Sequence, residues 1–432
     1  MGQFSAMFNG LARSLSVKKG KISRNCGGRE AADAMMKDAK KNDLILKSSG
    51  IVSADGSNNF AAVFSKRGKK GINQDCYIVW EEFGCQKDMM FCGIFDGHGP
   101  WGHFVAKMVR EAMPSSLLCN WQETLAQTSI DTDFDITVDK KLDRFNMWKH
   151  SYLKTCAAVD QELEQHPGID SFYSGTTALT IVRQMIIDIF MELATNVTCE
   201  DLELLFLIDV KLTCSLEHMS YLAYVYFAVQ LIKNLRYSPN FYWTDVFQGD
   251  LIVLANVGDS RAVLATTSDD GNLVPVQLTV DFKPNLPQEA ERIMQCKGRV
   301  FCLEDEPGVH RVWPPYEETL GLAMSRAFGD YCVKDFGLIS VPEVTQWNIT
   351  SRDHFVVLAT DGVWDVLSNQ EAVQIVASSP DRSKAAKCLV DSAVRAWKRK
   401  RRGIATDDIS AICLFFHTPP LSQQIHPVSL PI

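Results

Sequence analysis

Two short apolar runs in this chain stop at the same dipeptide, and that repetition constrains the fold more than any other feature. Phe91-Cys92-Gly93-Ile94-Phe95 ends abruptly at Asp96-Gly97-His98-Gly99, and Phe355-Val356-Val357-Leu358-Ala359-Thr360 ends at Asp361-Gly362. Each run is short, continuous and bounded by Gly, which is the pattern of a buried strand. A carboxylate at the end of such a strand sits at the rim of the core, held rigidly yet within reach of solvent. The glycines let the backbone turn sharply and come close to a bound group. His98 is by type a proton donor or a metal ligand. Alone, each Asp-Gly reads as a polar turn, so the weight rests on how many carboxylates share this position.

Two more do. Asp75 opens a predicted strand at Cys76–Trp80, and Asp407 precedes the last predicted strand, Ile409–Phe416. In an antiparallel sheet the starts and ends of neighbouring strands share an edge. Asp75, Asp96, Asp361 and Asp407 would then gather in one small space, where unpaired negative charge is costly. Divalent cations relieve that cost, and all-oxygen ligation with few histidines suits Mg or Mn better than Zn or Cu. A carboxylate bridging two metals would hold a water between them and lower its pKa, a layout for hydrolysing a phosphate ester. The cationic turn Ser65–Gly71 would offer Lys70 to the phosphate, and His98 would protonate the leaving alkoxide. A structural calcium site, or four unrelated turn aspartates, remain the competing readings from spacing alone.

The rest of the chain sets the frame. At 432 residues, 46% hydrophobic and 22% charged, it suits a large soluble domain with additions or two domains. A net charge of -8 argues against a general nucleic-acid binder. The 13 cysteines form no CxxC pair, and none has an Arg six residues downstream, which excludes a thiol phosphatase loop. They read as reduced thiols of the cytoplasm or nucleus. Helices are predicted over Gly102–Met113, Asn120–His166, Pro287–Cys296 and Ser383–Arg402, with loop over Phe301–Tyr316. The basic run Lys398–Arg402 reads equally as a nuclear signal and as cations complementing a helix C-terminus. Residues 1–50 read as a flexible basic tail. Its start, Met1-Gly2-Gln3-Phe4-Ser5-Ala6, approaches an N-myristoylation signal that would attach the chain to the plasma membrane, but Ala6 stands where Ser or Thr is wanted, so attachment is not favoured. Residues 419–432 read as a disordered Pro-rich tail.

The series Asn73-Gln74-Asp75, Phe95-Asp96-Gly97-His98-Gly99, Ser174-Gly175-Thr176-Thr177-Ala178, Val257-Gly258-Asp259-Ser260-Arg261, Met324–Asp330, Ala359–Asp365 and Asp407-Asp408-Ile409-Ser410 resembles the 2C-type, metal-dependent protein serine/threonine phosphatases. The plant members are the most similar, through Asn73–Cys76 and Val79-Trp80-Glu81. The resemblance covers roughly Val52 to His417. It implies an α+β fold, a four-layer α/β/β/α sandwich with two central antiparallel sheets, over residues 51–418. It implies two Mg2+ or Mn2+ ions, held by Asp75, Asp96 as the bridge, the Gly97 carbonyl, Asp361 and Asp407. Asp259 and Asp365 match a weaker third metal position, Lys70 the phosphate-facing cation and His98 the general acid. Asp408, beside Asp407, leaves the choice of ligand open. Gln74 stands where many members carry Glu. The implied partners are phosphoprotein substrates, and the implied state is a monomer.

One segment departs from the family pattern. The strand within Ser174–Val182 would run through a short turn at Gln184, Gly249 and Asp250 into Leu251–Val257, but residues 185–248 intervene, without a Gly and with Pro239 as their only Pro. Its apolar stretch Met219–Ile232 is shorter than a membrane span, and two helices are expected instead. The flanks rejoin seamlessly when it is removed, which reads as an extra translated segment such as a retained intron. The alternative function is therefore a catalytically impaired interaction protein, whose core hairpin the segment disrupts.

Overall fold

The computed structural model describes residues 50–53, 60–86, 88–131, 140–184, 250–316, 318, 321–401 and 403–416. The basic tail before Gly50, the whole intervening 185–248 segment and the C-terminal tail, with the readings made for them, lie outside the described residues. Among the described residues no helix is long and apolar enough to cross a membrane.

The chain divides into two compact units. The first contains two large sheets, apart from their residues Arg183–Gln184, Leu251–Ile252 and Trp347–Asn348, and a small one of β5 (Gly97–His98), β6 (Gly175–Thr176) and β13 (Phe328–Gly329). One large sheet runs in the order β1 (Ile51–Val52), β3 (Cys76–Glu81), β4 (Met89–Phe95), β7 (Ala178–Gln184), β8 (Leu251–Val257), β14 (Glu343–Asn348). The other large sheet runs β10 (Leu273–Gln277), β9 (Arg261–Thr267), β15 (Asp353–Ala359), β16 (Ile409–Phe415), β2 (Ala61–Lys66). The strands β4, β8, β15 and β16 are buried almost throughout, as expected of strands covered on both faces. Strands β15 and β16 pack on β3 and β4, so the sheets lie face to face. Helices α1 (Gly102–Asp131) and α2 (Lys140–Glu164) pair with each other, and α1 lies on the first sheet; α6 (Asn369–Ala377) and α7 (Ala385–Lys400) cover the second. That is the expected four-layer α/β/β/α arrangement. Three short helices, α3 (Pro287–Gln295), α4 (Tyr331–Lys334) and α5 (Asp361–Trp364), complete the set used below.

Strands β7 and β8 both form and are neighbours in the sheet order, although the 185–248 segment separates them in sequence. The second unit comprises Arg183–Ile252 and Trp347–Ser351. Among its described residues, Arg183 Nη2 donates to Asp250 Oδ2 at 2.5 Å, and the Ile349 N–H donates to the Asp250 carbonyl at 2.8 Å.

Two expectations need correction. Helix α1 does not stop at Met113 but continues through Pro114 to Asp131. Its inner residues Val105, Ala106, Val109, Met113 and Leu117 are buried, and tertiary burial overrides the cost of one internal Pro. The expected loop Phe301–Tyr316 instead carries a short strand, β12 (Arg311–Trp313), which forms a small hairpin with β11 (Arg299–Phe301). Trp313 stabilises it by stacking on Phe301 and donating its Nε1 hydrogen to the Phe301 carbonyl at 3.1 Å.

The core under α6 and α7 is built from Val263, Val357, Ala411, Leu389, Val390, Ala393 and Trp397. It also braces the turn after β15. Trp364 Nε1 donates to the Ala359 carbonyl at 2.9 Å, and Trp397 Nε1 donates to the Gly362 carbonyl at 2.7 Å. Any side chain at Gly362 would run into the Asp408 carbonyl. The backbones on either side of Asp361 and Asp407 therefore approach each other only because this position is Gly.

Candidate active site

Strand register brings the acidic residues together. β3 and β4 are antiparallel with Cys76 opposite Phe95, so Asp75 and Asp96 leave the first sheet at one edge. β15 and β16 are antiparallel with Ala359 opposite Ala411, which puts Asp361 and Asp407 at one edge of the second sheet. Arg261 lies opposite Ala359, so the turn carrying Asp259 meets the same edge. Asp96 feels the charges of Asp361, Asp75, Asp407 and Asp259. The two edges thus face one shared space, and Asp365 adds its charge to Asp361.

Hydroxyl groups join these carboxylates across the sheets. Thr360 Oγ1 donates to Asp75 Oδ2 at 3.1 Å and accepts the Ser410 N–H at 3.2 Å. Thr177 Oγ1 accepts the Asp96 N–H at 3.1 Å and lies 3.0 Å from Ser260 Oγ, next to Asp259. Gln74 Nε2 donates to the Gly99 carbonyl at 2.8 Å. Its amide side chain therefore ties two loops of the site together without adding charge.

Asp407 and Asp408 have different partners. Both oxygens of Asp408 accept backbone N–H groups, from Gly68 at 2.7 Å and Gln74 at 2.8 Å. Its carboxylate closes the cationic turn onto the sheet. Asp407 faces the cluster, with Lys70 Nζ at 2.5 Å from Oδ2. Lys283 pairs likewise with Asp259.

Burial raises the pKa of Asp75 to about 7, overcoming the Ser410 and Thr360 hydroxyls that lower it; repulsion from Asp408 and Asp407 adds a smaller upward push. Asp96 is pushed well above the carboxylate range by burial and then by Asp361 and the other carboxylates. Asp361 is pushed up by burial and then by Asp259, Asp407 and Asp365, with Lys283 opposing. Asp365 moves up through burial, against Lys283 and Arg401. For Lys70, burial disfavours the ammonium, but the hydrogen bond to Asp407 and the surrounding carboxylates raise its pKa. An edge of this kind draws positive charge.

His98 sits beside the cluster. Its Nε2 lies 2.6 Å from Asp330 Oδ2. Burial alone would favour the neutral ring, but the Asp330 carboxylate outweighs it and raises the pKa, helped by the Asp259 charge. Nδ1 is buried without a hydrogen-bond partner among the described residues. Asp330 has left-handed backbone angles (φ 55). It is held from behind by Asp160 of α2, which accepts from the Gly329 N–H at 3.0 Å and from Lys334 Nζ at 2.8 Å. A side chain at Gly175, which pairs with His98, would fall inside the Asp330 carboxylate.

The protein phosphatase 2C family profile matches residues 243–400. The chain is 57% identical to probable protein phosphatase 2C 73 of Arabidopsis thaliana, over 100% of both chains. It is 51% identical to probable protein phosphatase 2C 48 of Oryza sativa subsp. japonica, over 97% of this chain and 100% of that one. The chain belongs to the protein phosphatase 2C family. A serine-threonine phosphatase 2C from Toxoplasma gondii shares the fold at TM-score 0.59 and 22% identity, covering 83% of this chain and 94% of that one.

In this protein phosphatase 2C, all the sequence-predicted positions fall on one edge or on the turns beside it. Among the described residues, no group of three or more His, Cys, Asp or Glu side chains is poised as it stands to hold a metal ion. Lys70 and Lys283 instead supply positive charge to Asp407 and Asp259. The residues nevertheless suit hard divalent cations. The donor set is all oxygen, and Asp75 Oδ1 and Asp259 Oδ1 are buried without hydrogen-bond partners. Reading the sequence assigned no role to Asp330, Thr177 or Thr360. All three lie within quoted motifs, but their partners are distant in sequence, so only the fold shows what they touch.

Proposed function

We propose that this protein phosphatase hydrolyses phosphoserine and phosphothreonine in proteins, using two divalent cations, Mg2+ or Mn2+, at the shared sheet edge. Asp75, Asp96 as the bridge, the Gly97 carbonyl, Asp361 and Asp407 would hold them, with Asp259 and Asp365 at a weaker third position. Bound there, the cations would activate water for attack on the phosphorus and neutralise its oxygens. The observation that carries this reading is the convergence of acidic groups from both sheets, with pKa values raised by burial and mutual repulsion and two buried oxygens unpartnered.

The chain's own groups divide the remaining work. Lys70, at the mouth of the edge, would orient the phosphate by charge. Asp408, with both oxygens on backbone N–H groups, supports Asp407 as the ligand and itself as the brace. His98 would hold a proton at Nδ1 for the leaving alkoxide, because Nε2 is engaged by Asp330. The adjacency of β7 and β8 favours an active enzyme over an impaired one. The test is hydrolysis of p-nitrophenyl phosphate and of phosphoserine peptides by the full chain, with Mn2+ and with chelator. Turnover that depends on Mn2+ is expected; turnover indifferent to chelation would refute the metal assignment.

A further inference from the structure

An aromatic patch borders His98 and takes no part in the reaction described above. Trp101 is 38% exposed, Phe104 45%, Phe172 49% and Tyr173 45%. Single exposed apolar residues are ordinary, but a group of exposed aromatics marks an interaction surface. These four come from two segments that the fold joins. The Trp101 N–H donates to Ser174 Oγ at 2.9 Å, next to Tyr173. The Gly99 backbone lies tight against the Tyr173 carbonyl. Within each segment the rings also touch: Trp101 and Phe104 have centroids 5.3 Å apart, and Phe172 and Tyr173 meet edge to face at 4.7 Å.

The patch is continuous with the reaction edge. Trp101 follows His98 by three residues, and Tyr173 precedes by two the Gly175 that pairs with His98. A phosphoserine that reaches the carboxylates must lay its flanking residues across this rim. Each extended residue covers roughly 3.3–3.6 Å, so positions one to three away from the phosphorylated residue lie within about 10 Å of it. We propose that Trp101, Phe104, Phe172 and Tyr173 form a substrate-recognition surface that binds a large apolar side chain flanking the phosphorylated Ser or Thr. The inference rests on the phosphatase reading and adds a substrate class to it. Rigid, amphipathic aromatic rings suit such anchoring, because they contribute contact area with little loss of side-chain freedom.

The test compares the full chain with Phe104→Ser and Phe172→Ser variants, whose side chains lie outside the catalytic cluster. Three substrates are needed: p-nitrophenyl phosphate, a phosphoserine peptide with Leu or Phe flanking the phosphoserine on either side, and the same peptide with Gly at those positions. The wild type should prefer the apolar peptide over the Gly peptide. Each variant should raise KM for the apolar peptide by roughly three- to tenfold, with kcat little changed. The Gly peptide and p-nitrophenyl phosphate should be unaffected. No preference in the wild type, or an equal loss on all three substrates, would overturn the proposal while leaving the phosphatase reading intact. A change in sedimentation from dimer to monomer, with unchanged peptide KM, would assign the patch to self-association and also overturn it. A wild type that hydrolyses none of the three with Mn2+ would overturn the phosphatase reading and this inference with it.

Discussion

At the residue scale, the pair formed by His98 and Asp330 carries the most specific consequence. Asp330 fixes Nε2 of the ring at 2.6 Å and thereby decides which nitrogen is left for the substrate. It does not touch the reacting atoms, so it is a positioning residue. Asp330→Asn keeps the size and removes the charge. The variant should lose roughly tenfold or more in kcat on phosphoserine peptides, whose alkoxide needs a proton. It should lose little on p-nitrophenyl phosphate, whose leaving group needs none. Steady-state kinetics on the two substrates checks this, and equal losses would point to a merely structural role. Asp96 and His98 were legible in the sequence because Asp75, Asp361 and Asp407 also stand at predicted strand ends and the Asp-Gly-His-Gly run belongs to a series that resembles the family; alone it reads as a polar turn. Asp330 was not. It ends the quoted Met324–Asp330 run, and nothing in local sequence says that its carboxylate crosses to His98.

At the scale of elements, the turn after β15 shows how packing far from the chemistry supports it. Trp397 lies on α7, on the outer layer, yet its Nε1 bonds the Gly362 carbonyl beside Asp361. Trp397→Phe keeps most of the buried area and leaves that carbonyl unsatisfied. The expected loss is about 1–2 kcal/mol of unfolding free energy, read from urea titration, together with weaker apparent Mn2+ affinity. A variant as stable as the wild type would remove the Trp397 bond from the account. Strands were the more legible elements, since β4, β8, β15 and β16 are continuous apolar runs. Helix α1 was cut short in the sequence reading because Pro114 is a local stop signal, and the burial that overrides it is tertiary. The β11–β12 hairpin was missed because its strands span three residues each, too few to show alternation.

Over the whole molecule, two ionic arrangements with opposite pH behaviour coexist. At the active edge, carboxylates are crowded and their pKa values rise. On α3, Glu289 is nearly inaccessible but well paired. Burial would raise its pKa, yet bidentate bonds from Arg292 and Arg326 and a bond from Ser325 bring it down to about 2. A carboxylate depressed in the folded state stabilises the fold above its ordinary value of 4.5, and that stability is lost as pH falls from 4.5 toward 2. The shift corresponds to about 3 kcal/mol. Glu289→Gln should therefore lower the stability at pH 7 by about that amount and flatten the acid limb of the stability curve, as measured by urea unfolding from pH 7 to pH 3. An unchanged acid limb would show that other carboxylates set it. The four-layer architecture was legible only through the resemblance that the series of motifs carries to a known family. The Glu289 network was not: Arg292 lies three residues on in the same helix, but Arg326 and Ser325 come from a separate segment, and such partners leave no periodic trace in a sequence.

The central claim is that the edge shared by the two sheets is a site for divalent cations. Calorimetric titration of Mn2+ into the metal-free full chain and into Asp96→Asn tests it most directly. The wild type should bind Mn2+ and gain thermal stability from it, while Asp96→Asn, lacking the carboxylate that both ions would share, should lose most of the binding and all turnover. Equal Mn2+ uptake and equal stabilisation in the two proteins would contradict it.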